Sequence, residues 1–170
     1  AIAFVYQNDV YVKRLNEVTR FTHDGNANVF NGKPDWVYEE EVFSSDIVLW
    51  WSPEGDKIAF LKLNDTEVPE YPIQYYVQQD KDYPEVRNIK YPKAGYPNPV
   101  VELVVADVND ASSVSNIFLS SLPEYLITEV LWVSDDNVLV KTSNRASDIL
   151  EIFLVDAAQK TPKKVRQHKA

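Results

Sequence analysis

Cysteine and methionine are absent from the 170 residues, and there are only four glycines and two histidines. Without cysteine there can be no disulfide framework, thiolate nucleophile or cysteine-based metal site. The glycines (Gly25, Gly32, Gly55 and Gly95) enclose no serine in a Gly-x-Ser-x-Gly elbow and build no phosphate-binding loop. His23 falls in a predicted turn and His168 in a basic run near the end, both reading as surface residues. No His-x-x-x-His pair or calcium loop is present. The stretch therefore encodes no catalytic residue set and no metal site, and no cofactor is expected. No apolar run approaches the ~18 residues of a membrane span, so these residues are expected to be soluble. A chain opening Ala1-Ile2-Ala3-Phe4 reads as a processed or excised piece of something longer.

What is present is ordinary for a folded domain: 45% hydrophobic and 25% charged residues, at a length that can bury a substantial core. Aromatics are plentiful, with ten Tyr and four Trp. Twenty-six acidic against 17 basic residues give a formal net charge of −9, which opposes general binding to nucleic acid or anionic lipid. The exception is 160–169, with five Lys or Arg, which reads as a solvated basic tail. Asn64-Asp65-Thr66 is an N-glycosylation acceptor pattern, meaningful if the chain enters a secretory pathway.

Short β-rich runs dominate. Residues 1–5, 9–13 and 17–22 read as a three-stranded meander, and 29–34 as a connection. Residues 47–52 and 57–63 form strands around the turn Pro53-Glu54-Gly55-Asp56. The unit Lys57-Ile58-Ala59-Phe60-Leu61 repeats Ala1-Ile2-Ala3-Phe4-Val5 at a spacing of 56 residues. A third copy is Leu131-Trp132-Val133-Ser134-Asp135-Asp136-Asn137-Val138-Leu139-Val140, and 150–156 resembles the strand that starts at Val10. Repeats of strand, polar turn and strand at this spacing point to an all-β fold, a partial β-propeller of about two to three antiparallel four-stranded blades. A short acidic helix would lie between blades. The expected division is 1–34 partial blade and connection, 35–46 acidic segment, 47–108 blade with a Pro/Tyr-rich insert at 65–99, and 109–170 partial blade and basic tail. The insert reads as irregular or as an extended arm. The last blade is expected to stop after its third strand, and missing strands to come from elsewhere in a parent protein.

Asp35-Trp36-Val37-Tyr38-Glu39-Glu40-Glu41-Val42-Phe43 is the chemically unusual stretch. Carboxylates about 6 Å apart repel by roughly 3 kcal/mol at an effective dielectric near 20, so a partly buried run of acids needs a cation. On an α-helix, Trp36 and Phe43 would share one side, while the three acids cover a broad arc. Two readings follow. The acids pair with neighbouring lysine or arginine, or adjacent carboxylates clamp a ligand ammonium.

This stretch resembles the double-glutamate motif of the dipeptidyl peptidase IV family. The likeness continues through Leu49-Trp50-Trp51-Ser52-Pro53, Asn64-Asp65-Thr66-Glu67-Val68-Pro69 and Tyr91-Pro92-Lys93-Ala94-Gly95 with Asn98-Pro99. It covers most of 1–108 and is looser over 109–170. Absence of cysteine and the form of the third repeat resemble a fungal member. The resemblance implies a serine exopeptidase that releases N-terminal dipeptides with Pro or Ala second, built as a propeller over an α/β-hydrolase domain. Glu40 and Glu41 would hold the free α-ammonium of the peptide substrate, and Glu39 would have no comparable role. The catalytic Ser, Asp and His would belong to the absent hydrolase domain, so this chain should be inactive alone. It also implies a homodimer in some members, with contacts from the region of 65–99, and a parent that is secreted, vacuolar or a single-pass ectodomain, glycosylated at sites such as Asn64. The alternative is a relative without the nucleophile, whose propeller serves protein contacts; retention of the acidic motif favours an active parent.

Overall fold

A computed structural model describes residues 1–76 and 82–170. Three antiparallel sheets follow one another along the chain. The first is β1 (Ile2–Tyr6), β2 (Asp9–Arg14) and β3 (Glu17–Arg20), in sequence order. The β1–β2 turn is built on Gln7 and Asn8, both at positive φ (49° and 64°), the twist that suits a two-residue hairpin.

In the middle sheet β6 (Lys57–Asn64) pairs with β9 (Val100–Asp107) from Lys57↔Asp107 to Asn64↔Val100, and β10 (Ser115–Ile117) follows on β9. The opposite edge of β6 carries two short strands in succession. β4 (Val29–Asn31) pairs with 62–64, and β5 (Leu49–Trp51) with 58–60. Residues expected to be only a connection thus supply a strand. Their β character is hidden because three residues are too few to show a period.

The third sheet runs β11 (Leu126–Ser134), β12 (Asn137–Ser143), β13 (Ile149–Asp156) and β14 (Thr161–Lys169). The expected basic tail is therefore the fourth strand, paired with β13 from Asp156↔Thr161 to Ile149↔Lys169, and this blade is complete. Every residue of β14 is exposed, so neither face had to be apolar and no alternation marked it. Its lysines suit an outer edge, where charge discourages pairing with other chains.

The 0% exposure of Ile58, Ala59, Phe60 and Leu61 comes from burial on both faces of β6. With period two, Ala59, Leu61, Leu63, Leu103 and Val105 face the third sheet, joining Ile127, Val138, Val140, Phe153 and Val155. Ile58, Phe60, Val104 and Ala106 face the first sheet, meeting Val10, Val12 and Phe21. Each such aliphatic or aromatic side chain contributes roughly 1.5–3 kcal/mol. Sheets stacked face to face in chain order are successive propeller blades.

A polar joint at one end of the first interface links Asp9 to Thr22 Oγ1 (2.6 Å) and Arg20 (2.6 Å), with Asn31 Nδ2 donating to Asp24 Oδ1 (3.0 Å). Burial works against the Asp9 charge, but the hydrogen bonds from Thr22, Arg20 and Gly25 hold its carboxyl below the usual range.

The insert forms a two-stranded antiparallel arm, β7 (Glu70–Tyr75) with β8 (Glu85–Lys90). Pro72 sits opposite Asn88 within it, a position open to proline because each strand has a free edge. Part of the insert, 77–81, lies outside the described residues.

Candidate functional site

The acidic segment is an excursion from the edge of β6, and it leaves and returns opposite one residue. Leu61 O accepts from Gly32 N (2.8 Å), Leu61 N donates to Val48 O (3.0 Å), and Val48 N donates to Gly32 O (3.1 Å). Gly32 has φ +70°, and a Cβ there would lie 2.9 Å from Val10 Cγ2, so the neck requires glycine.

Past the neck, Asp35 caps the turn that follows. Its Oδ2 accepts from Val37 N (3.1 Å) and its Oδ1 from Tyr38 N (3.0 Å), while its carbonyl accepts from Glu39 N (2.9 Å). Tyr38–Phe43 is then a π-helix, ended by Ser44 in the left-handed region (φ 52°, ψ 43°). Such i→i+5 turns are rare and concentrate at functional sites. The winding puts Tyr38 and Phe43, five apart, over one another, with rings 6.2 Å apart and stacked. In an α-helix they would point about 140° apart. Phe43 continues onto Trp50 (5.6 Å), whose carbonyl accepts from Trp132 Nε1 (3.1 Å) in the next blade. Trp36 turns instead to Tyr91 at the root of the arm (4.5 Å). The expected shared side of Trp36 and Phe43 is thus replaced by a Tyr38–Phe43 pair, because the helix is π rather than α.

Between these two anchors the three acids face outward. Glu40 and Glu41 are exposed and Glu39 half-buried. Among the described residues no ion pair takes any of the three, so the pairing of these acids with nearby lysine or arginine does not occur there. A hollow of about 270 Å³ is lined by Glu39, Glu40, Ser44, Ser45 and Asp46. Glu41 stands outside that lining, and Asp46, which sequence reasoning passed over, stands within it. A larger hollow of about 570 Å³ runs between the acidic segment (Lys33, Glu39, Asp46) and β1 (Ala3, Val5). One wall is the edge of β1 that pairs no strand among the described residues.

Two buried acids lie behind the segment. Burial pushes the Asp35 carboxyl up against the opposing pull of the Tyr38 and Val37 amides, and Glu39 adds to the rise. Asp65, 1% exposed, has no hydrogen-bond partner on either carboxylate oxygen. Burial, helped by Asp35 and opposed by Lys90, pushes it up to about 7. Nothing in the sequence singled it out, since it reads as the middle of a glycosylation triplet. Asn64 beside it is exposed at the end of β6, and its Oδ1 accepts from Thr66 N (2.9 Å) and Thr66 Oγ1 (2.6 Å).

His23 and His168 are exposed, on a loop and on β14 respectively. Among the described residues no group of three or more His, Cys, Asp or Glu could hold a metal, and no helix is long and apolar enough to cross a membrane.

The whole chain, residues 1–170, matches the family described as dipeptidyl peptidase IV (DPP IV) N-terminal region. It is 50% identical to dipeptidyl aminopeptidase B of Saccharomyces cerevisiae over 97% of its length, covering 21% of that protein. It is 45% identical to dipeptidyl-aminopeptidase B of Aspergillus niger, again over 97% of this chain and 20% of the relative. The crystal structure of Porphyromonas gingivalis dipeptidyl peptidase 4 superposes with a TM-score of 0.89 at 32% identity, over 99% of this chain and 24% of that one. The chain thus spans about a fifth of the length of the curated relatives it matches. Its stacked antiparallel sheets match the N-terminal propeller of such enzymes, and the chain belongs to the dipeptidyl peptidase IV N-terminal region family.

Proposed function

We propose that this chain is the substrate-reading part of a dipeptidyl aminopeptidase, a serine exopeptidase that removes N-terminal dipeptides with Pro or Ala second. Glu40 and Glu41 receive the free α-ammonium of the peptide. The observation that carries this reading is the presentation of these acids. They are solvent-facing and without an ion-pair partner among the described residues, on a π-helix whose other face is fixed in the core. The fold does not use their charge, so it remains available to a ligand.

An ammonium between two carboxylates donates charge-assisted hydrogen bonds of roughly 1.5–3 kcal/mol each. A peptide bound by its amino terminus can enter only a fixed distance, so the site counts residues from that end. The bond cut is then set by the span from the clamp to a serine nucleophile on the hydrolase domain of the parent. Glu39 and Asp46, which share the hollow with Glu40, add negative potential that draws a cation in.

The same reading extends to the parent's setting. The arm, two strands with free edges, suits contact with a second copy, and the exposed Asn64 with its Thr66 contact suits glycosylation on a secreted, vacuolar or membrane-anchored protein. The test is Glu40→Gln and Glu41→Gln in the full-length protein, with kcat/KM measured on a dipeptide anilide carrying proline second. Losing one partner of a charge pair predicts a fall on the order of 10²-fold or more. Near-normal kcat/KM would overturn the clamp. A full-length protein with no hydrolysis at all would instead favour a propeller used for protein contacts.

A further inference from the structure

Tyr38 is 0% exposed, yet it immediately precedes the three outward acids. Its hydroxyl accepts a hydrogen bond from Ile127 N (3.2 Å), 89 residues away on the first strand of the next blade. Ile127 stands beside a register shift in the β11–β12 ladder, between Ile127 and Glu129. The tyrosine ring is held from a second side by its stack on Phe43. The helix is therefore fixed at both ends of its buried face: by the Asp35 cap and Tyr38 where it starts, and by Phe43 on Trp50 where it stops. Burial pushes the Tyr38 phenol upward, so the hydroxyl stays neutral and its bond does not titrate with the substrate amine.

We propose that Tyr38 is a positioning residue for amine recognition, its hydroxyl bond to Ile127 setting the height and rotation of the helix that carries Glu40 and Glu41. This rests on the reading of those glutamates given above. A core tyrosine needs a partner for its oxygen in any fold. This one, however, takes a backbone amide of a different blade and lies one residue from the acids. A tether from the neighbouring blade makes the glutamates' place depend on the packing of two blades rather than on a free loop.

The test uses the full-length protein and two probes, an aminoacyl pyrrolidide and its des-amino analogue. Tyr38→Phe keeps the ring and removes the bond. The inhibition constant of the amine-bearing probe is expected to rise about five- to tenfold, the effect of one lost hydrogen bond. The des-amino probe and kcat should stay within about twofold, as for a loss of binding common to ground and transition states. In a Glu40→Gln/Glu41→Gln background, Tyr38→Phe should add nothing, because its effect passes through those carboxylates. Equal weakening of both probes, or an undiminished effect in that background, would overturn the inference. So would an unchanged Tyr38→Phe beside crippled glutamate variants, with the clamp itself left standing. Amine preference intact in the glutamate variants would instead overturn the function from which the inference starts. Should Tyr38→Phe not fold, replacing Tyr38 by 4-aminophenylalanine keeps a para-substituted ring of the same size while exchanging the accepting oxygen for a weakly accepting nitrogen. It should give the same pattern, confined to the amine-bearing probe; weakening of both probes would count against the proposal.

Discussion

Val48 N donates to Gly32 O across 3.1 Å, joining the two ends of the acidic excursion to each other as well as to Leu61. Fifteen residues, 33–47, are thus held on a closed neck, and what they carry is placed by the sheet beneath. The neck is the weak point of that arrangement. Gly32→Ala would force a Cβ into Val10 Cγ2 at 2.9 Å in a left-handed conformation. We expect a loss of about 1–3 kcal/mol in stability. Urea unfolding of the full-length variant checks this, and a midpoint equal to wild type would contradict it.

Asp65 gives a pH dependence with a definite sign. Its carboxyl is raised to about 7 in the fold by burial and Asp35, well above its unfolded value near 4. Between those values the folded state holds more protons, so stability falls as pH rises. The stabilisation is complete below about pH 4 and gone once pH passes about 7. Asp65→Asn, which cannot ionise, should therefore gain in melting temperature relative to wild type as pH rises from 4 to 8. The matching gain in unfolding free energy should reach a few kcal/mol at most. A difference that stays constant or shrinks with pH would rule this out.

Pairing of β14 with β13 brings Lys164 onto a buried acid. Glu151, 3% exposed, is raised by burial, but Lys164 (2.8 Å) and Ser120 (2.5 Å) outweigh that and hold it below its usual value. Lys164→Ala leaves this carboxylate with Ser120 as its remaining donor among these two. The lysine is 45% exposed, so the loss should be about 1 kcal/mol rather than the full value for a buried pair. Amide exchange offers a second view. Backbone amides of β14 that face β13 should be protected, and coil-like exchange throughout would refute the strand.

The sequence made the repeats legible because burial leaves an apolar signature, on both faces in Ile58-Ala59-Phe60-Leu61 and on alternate residues in Val138-Leu139-Val140. β14 carried no such mark, since an outer strand buries no face, and β4 was too short to show one. The acidic segment stood out by composition, but its shape did not. An α-helical reading put Trp36 and Phe43 together, whereas the π-helix pairs Tyr38 with Phe43 and sends Trp36 to Tyr91. Asp46 and Asp65 were invisible in sequence because each depends on contacts made only after the neck closes and the arm root packs.

On the proposed reading, Glu40 and Glu41 bind a free amino terminus. The most direct measurement is the ratio of kcat/KM for a proline-second dipeptide anilide to that for its N-acetylated form, in the full-length protein and its Glu40→Gln/Glu41→Gln double variant. A large ratio is expected in the wild type, collapsing toward unity in the double variant through loss of activity on the free amine. A ratio that survives the double substitution would contradict that reading.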